Sequence, residues 1–289
     1  MKARMSFAAR SLAVGRRGNV RRLPQVVAGV LVCSFVLAGQ GALTASAQAA
    51  PPSGAPAHAP AQNWSFNGPL GHFDLGAVQR GYAVFAGVCA SCHSLTQVHF
   101  SDLGDMGLTP EQVAALAASW QVAAGRDAEG HLKHRKATPD DALPRPYADP
   151  DAARAANRGA VPPDLSRITQ VYPGGPDRVY ALLTGYAPVK PPTAEAGAAQ
   201  PEAGFANPYA IGHRTAMPPP LRDHAVMYAD GTQPTAQQEA RDVTAFLAWI
   251  SNPHADDKRR LGVGVGLYLC FLACLLVILK RRIWSHVAK

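Results

Sequence analysis

Two cysteines and a histidine lie together in one short segment, Cys89-Ala90-Ser91-Cys92-His93. Two thiols separated by two residues can add across the two vinyl groups of a haem, and the next residue is then held beneath the iron. A histidine in that place supplies the first axial ligand. The segment therefore predicts one covalently bound haem c, attached through Cys89 and Cys92 and ligated by His93.

The same cysteine spacing also occurs in thioredoxin-like redox sites and in one half of a zinc site. A thioredoxin-like motif belongs to a βαβ unit, and no pattern of that kind surrounds this segment. A zinc site needs two more ligands at short spacing. No other cysteine lies between the two long apolar segments of the chain, so haem attachment is the stronger interpretation.

The second axial ligand is predicted at Met217, which stands in the segment Ala216-Met217-Pro218-Pro219-Pro220-Leu221. Consecutive prolines restrict the backbone, so this segment can hold a thioether at a fixed distance from another part of the fold. Met106 and Met227 have no comparable setting. A single methionine is often only a filler of the core, but the prolines favour iron ligation. A thioether ligand raises the reduction potential relative to a second histidine.

The helix that must deliver the chain to this motif is predicted over residues 75–88, where apolar residues recur at helical spacing. Gly81 leaves room in it for another backbone or a cofactor to approach closely. A later helix is predicted to begin after Thr235 and to end before Pro253. We expect its apolar stripe to pack against the helix before the motif; the stripe consists of Val243, Phe246, Leu247 and Ile250.

Two further helices are predicted at residues 110–124, with Thr109 as the N-cap, and at residues 176–186. Residues 133–150 are polar and rich in proline, and residues 187–206 have low complexity, so both are predicted to be surface loops. Alternating strand patterns are scarce. The predicted fold class is therefore mainly α.

Two apolar segments predict export and membrane attachment. Residues 26–38 follow a long basic region and precede Ala45-Ser46-Ala47, a small-residue cleavage pattern, which predicts a cleaved signal peptide; an uncleaved anchor is the alternative. Residues 261–279 contain no charge, and a helix of that length spans about 28 Å, close to the ~30 Å hydrocarbon core of a membrane. The basic run Lys280-Arg281-Arg282 follows and predicts a cytoplasmic C-terminus.

These signals predict a single-pass protein of the cell inner membrane with its haem domain in the periplasm. The predicted layout is a signal peptide at 1–47, a flexible spacer at 48–62, a periplasmic cytochrome c domain at 63–257, a transmembrane anchor with its flanks at 258–282 and a cytoplasmic tail at 283–289.

The net charge of +8 does not indicate a nucleic-acid partner. Of the 28 basic residues, seven lie in residues 1–47 and four in residues 280–289, and neither segment contains an acidic residue. The rest of the chain has slightly more acidic than basic residues. The excess positive charge is therefore a targeting and topology signal, and we expect no nucleic acid among the partners.

Several blocks of the sequence together resemble the cytochrome c1 family. They are collinear from residue 64 to residue 286, an order that a chance haem motif would not produce. The blocks include Trp64 to Gly68, Val88 to Ser94, Ala152 to Asn157, Pro162 to Ser166, Leu182 to Tyr186, Ala216 to Leu221 and Lys280 to Ser285.

The resemblance implies a class I cytochrome c-like haem domain with long loop insertions and one C-terminal transmembrane helix. It implies the haem c subunit of ubiquinol–cytochrome c oxidoreductase (complex III), in contact with cytochrome b. Such a subunit takes electrons from the Rieske iron–sulfur protein and passes them to a soluble or membrane-bound cytochrome c, with no enzymatic activity alone. The implied site has Cys89, Cys92, His93 and Met217 on the haem, and a pocket lined by Asn157, Ala160, Pro162 and Pro163.

The sequence departs from the family pattern at two positions. Arg158 stands where the family usually has a second asparagine, and Tyr172 stands about where it usually has a basic residue that holds a haem propionate. Arg154, Arg158 or Arg167 could bind the propionate instead.

Two other functions compete with the complex III subunit. The first is a membrane-anchored monohaem cytochrome c subunit of a periplasmic dehydrogenase, against which the Met217 segment and the family blocks count. The second is a haem-based sensor, which needs an open iron position and would be excluded by six-coordinate iron with histidine and methionine ligands.

Overall fold

The computed structural model of the chain describes residues 54–187 and 204–287. The predicted signal peptide at 1–47, the first part of the predicted spacer and most of the predicted loop at 187–206 lie outside the described residues.

The described residues form a mainly helical fold, which confirms the predicted fold class. The α-helices are α1 (Leu75–Gly87), α2 (Pro110–Ala118), α3 (Pro150–Ala156), α4 (Ile168–Val171), α5 (Gly175–Thr184), α6 (Ala236–Ser251) and α7 (Ala255–Val287). Strands β1 (Gln121–Arg126) and β2 (Leu132–Lys136) pair antiparallel, as do β3 (Phe205–Ala206) and β4 (Arg214–Thr215). Short 3₁₀ helices lie at Cys89–Ser91, Phe100–Met106 and Ile211–His213.

Helices α1 and α6 have the bounds that the sequence predicts, to within one residue. The Asp74 carboxylate accepts hydrogen bonds from the N–H groups of Gly76 and Ala77 and caps α1. The Thr235 hydroxyl accepts from the N–H of Gln238 and caps α6. Helix α5 lies within two residues of the predicted helix at 176–186. Helical spacing of apolar residues, with the capping signal at Thr235 for α6, was therefore sufficient to place these helices.

Helix α1 crosses α6 so closely that Gly81 has no room for a side chain. A Cβ atom at Gly81 would overlap the carbonyl oxygen of Asp242 and would lie 2.7 Å from Cβ of Phe246. The Phe246 ring lies 5.8 Å from the rings of Tyr82 and Phe85. The predicted packing of the α6 stripe against the helix before the motif is confirmed, and the group that approaches Gly81 is a backbone.

A buried ion pair lies at the same crossing. Nε and Nη2 of Arg80 donate to the two carboxylate oxygens of Asp242, at 2.9 and 3.1 Å, and Nη1 donates to Asp230 at 2.7 Å. Asp242 is buried. The hydrogen bond to Asp242 outweighs the burial of the guanidinium and raises the pKa of Arg80. Two parallel bonds of this kind add geometric specificity to the helix packing.

The predicted helix at 110–124 was wrong for its last part. Helix α2 ends at Ala118, and residues 121–126 form β1. The Trp120 ring lies 6.1 Å from that of Phe100, and its Nε1–H donates to the Tyr82 hydroxyl at 3.0 Å. This packing turns the chain away from the helix axis, and pairing with β2 then outweighs the helical preference of the alanines in β1.

Helix α7 is the one described helix that is long and apolar enough to cross a membrane. It contains the predicted anchor at 258–282 and begins before it, at Ala255. Its apolar side chains from Leu261 to Leu279 face outward from the rest of the fold.

The first turn of α7 is bonded to the loop before α1. Two guanidinium nitrogens of Arg259 donate to the carbonyl oxygens of Phe66 and Gly71, at 2.8 and 3.3 Å. The Asp256 carboxylate accepts from the N–H of Phe73 at 3.0 Å and pairs with Arg259 at 2.7 Å. The base of the apolar helix therefore belongs structurally to the preceding domain.

The described part of the predicted spacer lies on the domain instead of standing free. The N–H of Ala57 donates to the carbonyl of Pro208, and the N–H of Gly212 donates to the carbonyl of Gly54. Ala59 is buried. These long-range contacts differ from the prediction of a flexible spacer, because a composition rich in alanine and proline does not reveal backbone pairing.

We expect Gly81→Ala to lower the free energy of unfolding by roughly 1–3 kcal/mol, because the added methyl group overlaps the α6 backbone. Chemical denaturation of the detergent-solubilised protein, followed by circular dichroism, measures the change. Gly76→Ala on the same helix is the control: its methyl group meets side-chain atoms of Asp74 and Arg80, at 3.2 and 3.7 Å, and no backbone, so we expect a smaller loss than in Gly81→Ala. Equal stability of the two variants would contradict the close crossing.

Candidate functional site

The cysteine motif forms a tight turn directly after helix α1. The last helical turn closes with the N–H of Val88 on the carbonyl of Val84, and the N–H groups of Cys92 and His93 both donate to the carbonyl of Cys89, at 3.1 and 2.9 Å. These bonds hold the two thiols and the imidazole on one short loop. The loop is positioned by α1 and hence by the crossing with α6.

The Cys89 thiol has the properties of a protonated side chain. Burial, together with the charge of the neighbouring Cys92, raises the pKa of Cys89 to about 12. A redox-active cysteine pair requires a lowered pKa, since the thiolate is the reactive species. The surroundings of Cys89 therefore count against a thioredoxin-like use of the motif.

His93 is oriented by a backbone carbonyl that lies 70 residues further along the chain. Its Nδ1 is 2.8 Å from the carbonyl oxygen of Pro163, and because a carbonyl can only accept, Nδ1 carries the proton. Burial lowers the pKa of His93, although the Pro163 carbonyl and the Asp164 charge oppose the shift. The imidazole is thus neutral, and Nε2 is left with a lone pair that can bind a metal.

Asp164 clamps the Pro163 segment to the His93 segment. One carboxylate oxygen accepts from the Ser94 hydroxyl and from the N–H of Thr96, each at 2.8 Å, and the other accepts from the N–H of Ser166 at 2.9 Å. Burial alone would raise the pKa of Asp164, but these hydrogen bonds outweigh burial and lower it. Sequence reasoning missed this clamp, although an aspartate two residues before a serine is a turn signal that could have indicated it.

The predicted pocket residues lie on one turn that leads into Pro163. Asn157 caps the end of α3, where its side-chain amide donates to the carbonyl of Ala153 at 2.7 Å. The N–H of Ala160 donates to the carbonyl of Asn157 at 3.0 Å, and Pro162 is half-buried. Among the described residues, Pro163 is the member of this set that hydrogen-bonds to His93.

Hydrogen bonds hold both the backbone N–H and the backbone carbonyl of Met217. Its N–H donates to the Thr215 hydroxyl at 3.2 Å, and its carbonyl accepts from the Tyr186 hydroxyl at 3.1 Å. Burial raises the pKa of Tyr186, so the hydroxyl stays a donor. Sequence reasoning did not single out Tyr186, because its contact with Met217 joins residues far apart in the chain.

An open pocket of about 370 Å³ lies between the prolines that follow Met217 and the end of α1, and Met217, Cys89, Cys92 and His93 are not among the residues that line it. Pro219, Pro220 and Leu221 line one side, and Gly87, Val88 and Ser91 line the other. The two alternative methionines lie elsewhere: Met106 is fully buried in the core, and Met227 is 94% exposed. The structure therefore brings the Met217 segment, and neither alternative methionine, to the end of α1.

Comparison with known proteins identifies the family. The model of the cytochrome C1 family matches residues 64–287, which is most of the chain. The chain belongs to the cytochrome c1 family. Members of this family are the haem subunits of the bc1 complex, so the match agrees with the resemblance that the sequence blocks indicated.

Individual members of the cytochrome c1 family are similar over most of the chain. Cytochrome c1 of Rhodospirillum rubrum is 40% identical over 237 residues, covering 78% of this chain and 87% of that protein. The mitochondrial cytochrome c1 heme protein of Saccharomyces cerevisiae is 42% identical, over 85% of this chain and 77% of its own. The mitochondrial cytochrome b-c1 complex catalytic subunit of Candida albicans is 39% identical, over 89% and 87%.

We expect Asp164→Ala to lower the free energy of unfolding at neutral pH by roughly 2–4 kcal/mol, because three donors lose their acceptor. Since the pKa of Asp164 is lowered in the folded state, its contribution is full above the unfolded pKa and is lost as the pH falls through the folded pKa. Urea denaturation at neutral and then at increasingly acidic pH should show the gap to wild type closing.

The control for this prediction is Asp151→Ala, which removes an exposed carboxylate whose one ion pair among the described residues is with Arg154. Exposed pairs contribute little, so we expect about the wild-type stability at every pH. A pH-independent loss in Asp164→Ala would show that the ionised carboxylate is not what the clamp depends on.

Proposed function

We propose that the chain carries one haem c, attached through Cys89 and Cys92 and ligated by His93 and Met217. In this proposal it passes electrons from the Rieske iron–sulfur protein to a cytochrome c. The observation that carries the proposal is the hydrogen bond of His93, whose Nδ1–H is taken by the Pro163 carbonyl and whose Nε2 is left for iron. A bound haem supplies the one-electron chemistry.

The residues present fit a haem c. The two thiols and the imidazole lie on one tight turn, and the prolines that follow Met217 line an open pocket together with Ser91 of that turn. A further buried polar group, the Nε of Arg178, has no hydrogen-bond partner among the described residues. Buried polar groups are normally paired, so this orphaned atom is consistent with an acidic cofactor in the fold.

In the proposed electron transfer, the role of the polypeptide is to fix the orientation of the two iron ligands. Asp164 and Pro163 hold His93 in one orientation, and Tyr186 with Thr215 holds the backbone of Met217. Neither arrangement requires a proton to move or a bond to break in the chain. With a haem bound, a methionine ligand would favour a higher potential than a second histidine.

The proposed partners and location follow from family membership and from helix α7. Relatives that are named as cytochrome b-c1 complex subunits support cytochrome b and the Rieske protein as partners, with a soluble or membrane-bound cytochrome c as the acceptor. Helix α7 supports a single pass through the cell inner membrane. The basic run after its apolar stretch supports a periplasmic haem domain at 63–257 and a cytoplasmic tail at 283–289.

We expect Met217→Leu to retain covalent haem but to have a lower midpoint potential, because leucine has no sulfur to bind the iron. Redox titration of membranes, monitored by the haem absorption bands, measures the shift. Met227→Leu is the matched control, since Met227 is 94% exposed, and we expect the wild-type potential. An unchanged potential in Met217→Leu would move the ligand to another residue.

Extraction in mild detergent tests the assignment to complex III. We expect the chain to copurify with a cytochrome b and a Rieske protein, and a strain lacking the chain to lose quinol–cytochrome c activity. Recovery with a periplasmic dehydrogenase, with quinol–cytochrome c activity intact in the deletion strain, would favour the alternative function. Variants Cys89→Ser and Cys92→Ser should fail to accumulate haem c in the same strain.

A further inference from the structure

Arg178 is a buried cation without an anion. It lies on α5 with 7% of its surface exposed, and its Nε has no hydrogen-bond partner among the described residues. Within residues 54–187 and 204–287 its guanidinium pairs with no carboxylate; its recorded contact is with the ring of Tyr172, 5.2 Å from the ring centroid. The side chain is therefore held in place by an aromatic face.

Burying an unpaired guanidinium costs free energy of folding unless an anion binds it. A buried charge without a partner loses its hydration and gains nothing in return. Arg80 shows how the same fold treats a half-buried guanidinium when a protein partner exists, because it has two bonds to Asp242 and one to Asp230. Arg178 is buried but has no carboxylate partner among the described residues, which indicates that its anion comes from a bound group.

The surroundings of Arg178 connect it to the haem site. The segment that holds His93 through Pro163 and Asp164 continues directly into α4 and then to Tyr172, on which the Arg178 guanidinium lies. Gly174, at φ 93°, makes the turn into α5, and a Cβ there would lie 3.0 Å from Cβ of Arg178. The tight glycine turn thus packs the side chain of Arg178 against the same segment.

The three arginines that the sequence offered for a propionate are placed differently. Arg154 pairs with Asp151, and Arg167 donates to the Gln170 side chain at 2.6 Å. Arg158 lies over the ring of Phe205, 4.9 Å from its centroid. All three are exposed at the surface, where a charge is hydrated and needs no further partner.

We infer that Arg178 is the residue of this chain that binds a haem propionate, with Tyr172 as the platform that orients its guanidinium. This inference rests on the proposed function, because the propionate belongs to the haem that the proposal assigns. A planar guanidinium matches a carboxylate with two parallel bonds. The position of Tyr172, where a basic residue was expected, is then explained: the charge is supplied from α5 and the ring supports it.

Arg178→Gln tests the inference in the full chain. Removing a cation beside the propionate leaves that carboxylate's charge uncompensated and favours oxidised haem, so the reduced-to-oxidised ratio at a fixed ambient potential should fall by roughly three- to tenfold. Resonance Raman spectra should also show a shift of the propionate bending band. Arg167→Gln is the control, and we expect both measurements to match wild type. Wild-type potential and propionate band in Arg178→Gln would overturn the inference.

Arg178→Lys covers the case in which the glutamine variant fails to accumulate. Lysine keeps the charge but cannot form the two parallel bonds, so the propionate band should shift while the potential falls less than with glutamine. An unshifted band in the lysine variant would overturn the inference. Absence of haem c from the wild-type chain would instead overturn the proposed function, so the two failures are distinguishable.

Discussion

The backbone contact between α1 and α6 at Gly81 is the constraint on which the rest of the site depends. Helix α1 ends directly in the Cys89–Ser91 turn, so the position of α1 on α6 sets the position of the motif. Helix α6 also accepts a hydrogen bond from Thr169 of α4 at the carbonyl of Leu247. Its Glu239 carboxylate accepts from the N–H of Val226, in the loop that follows the methionine segment. One helix therefore contacts the elements that carry all three parts of the site.

Buried charge is used in two ways in this fold. The Arg80–Asp242 pair is complete within the chain and adds specificity to the packing of two helices, whereas Arg178 is left incomplete. Replacing one member of a complete buried pair leaves an uncompensated charge. A cation that lacks its anion until a cofactor is bound makes part of the stability of the fold conditional on that cofactor.

The sequence was sufficient for the parts of the structure that depend on local signals. The helical spacing of apolar residues, together with the cap at Thr235, located α1 and α6 to within one residue. The end of α2 was not predictable, because the packing of Trp120 against distant aromatic residues decides it. For the same reason the Asp164 clamp and the burial of Arg178 were missed: each joins or depends on residues that only the fold brings together.

The bonds of Arg259 and Asp256 to the loop at 66–73 make the base of α7 a rigid mount. On the proposed topology, a domain on a flexible tether would sample many orientations above the membrane, and its productive encounters would depend on how often it turned correctly. A domain fixed to its own anchor presents one face at a constant height and angle above the membrane. The rate of productive encounters then does not depend on reorientation of this domain. On that topology, a change of orientation between this domain and a partner would have to come from the partner.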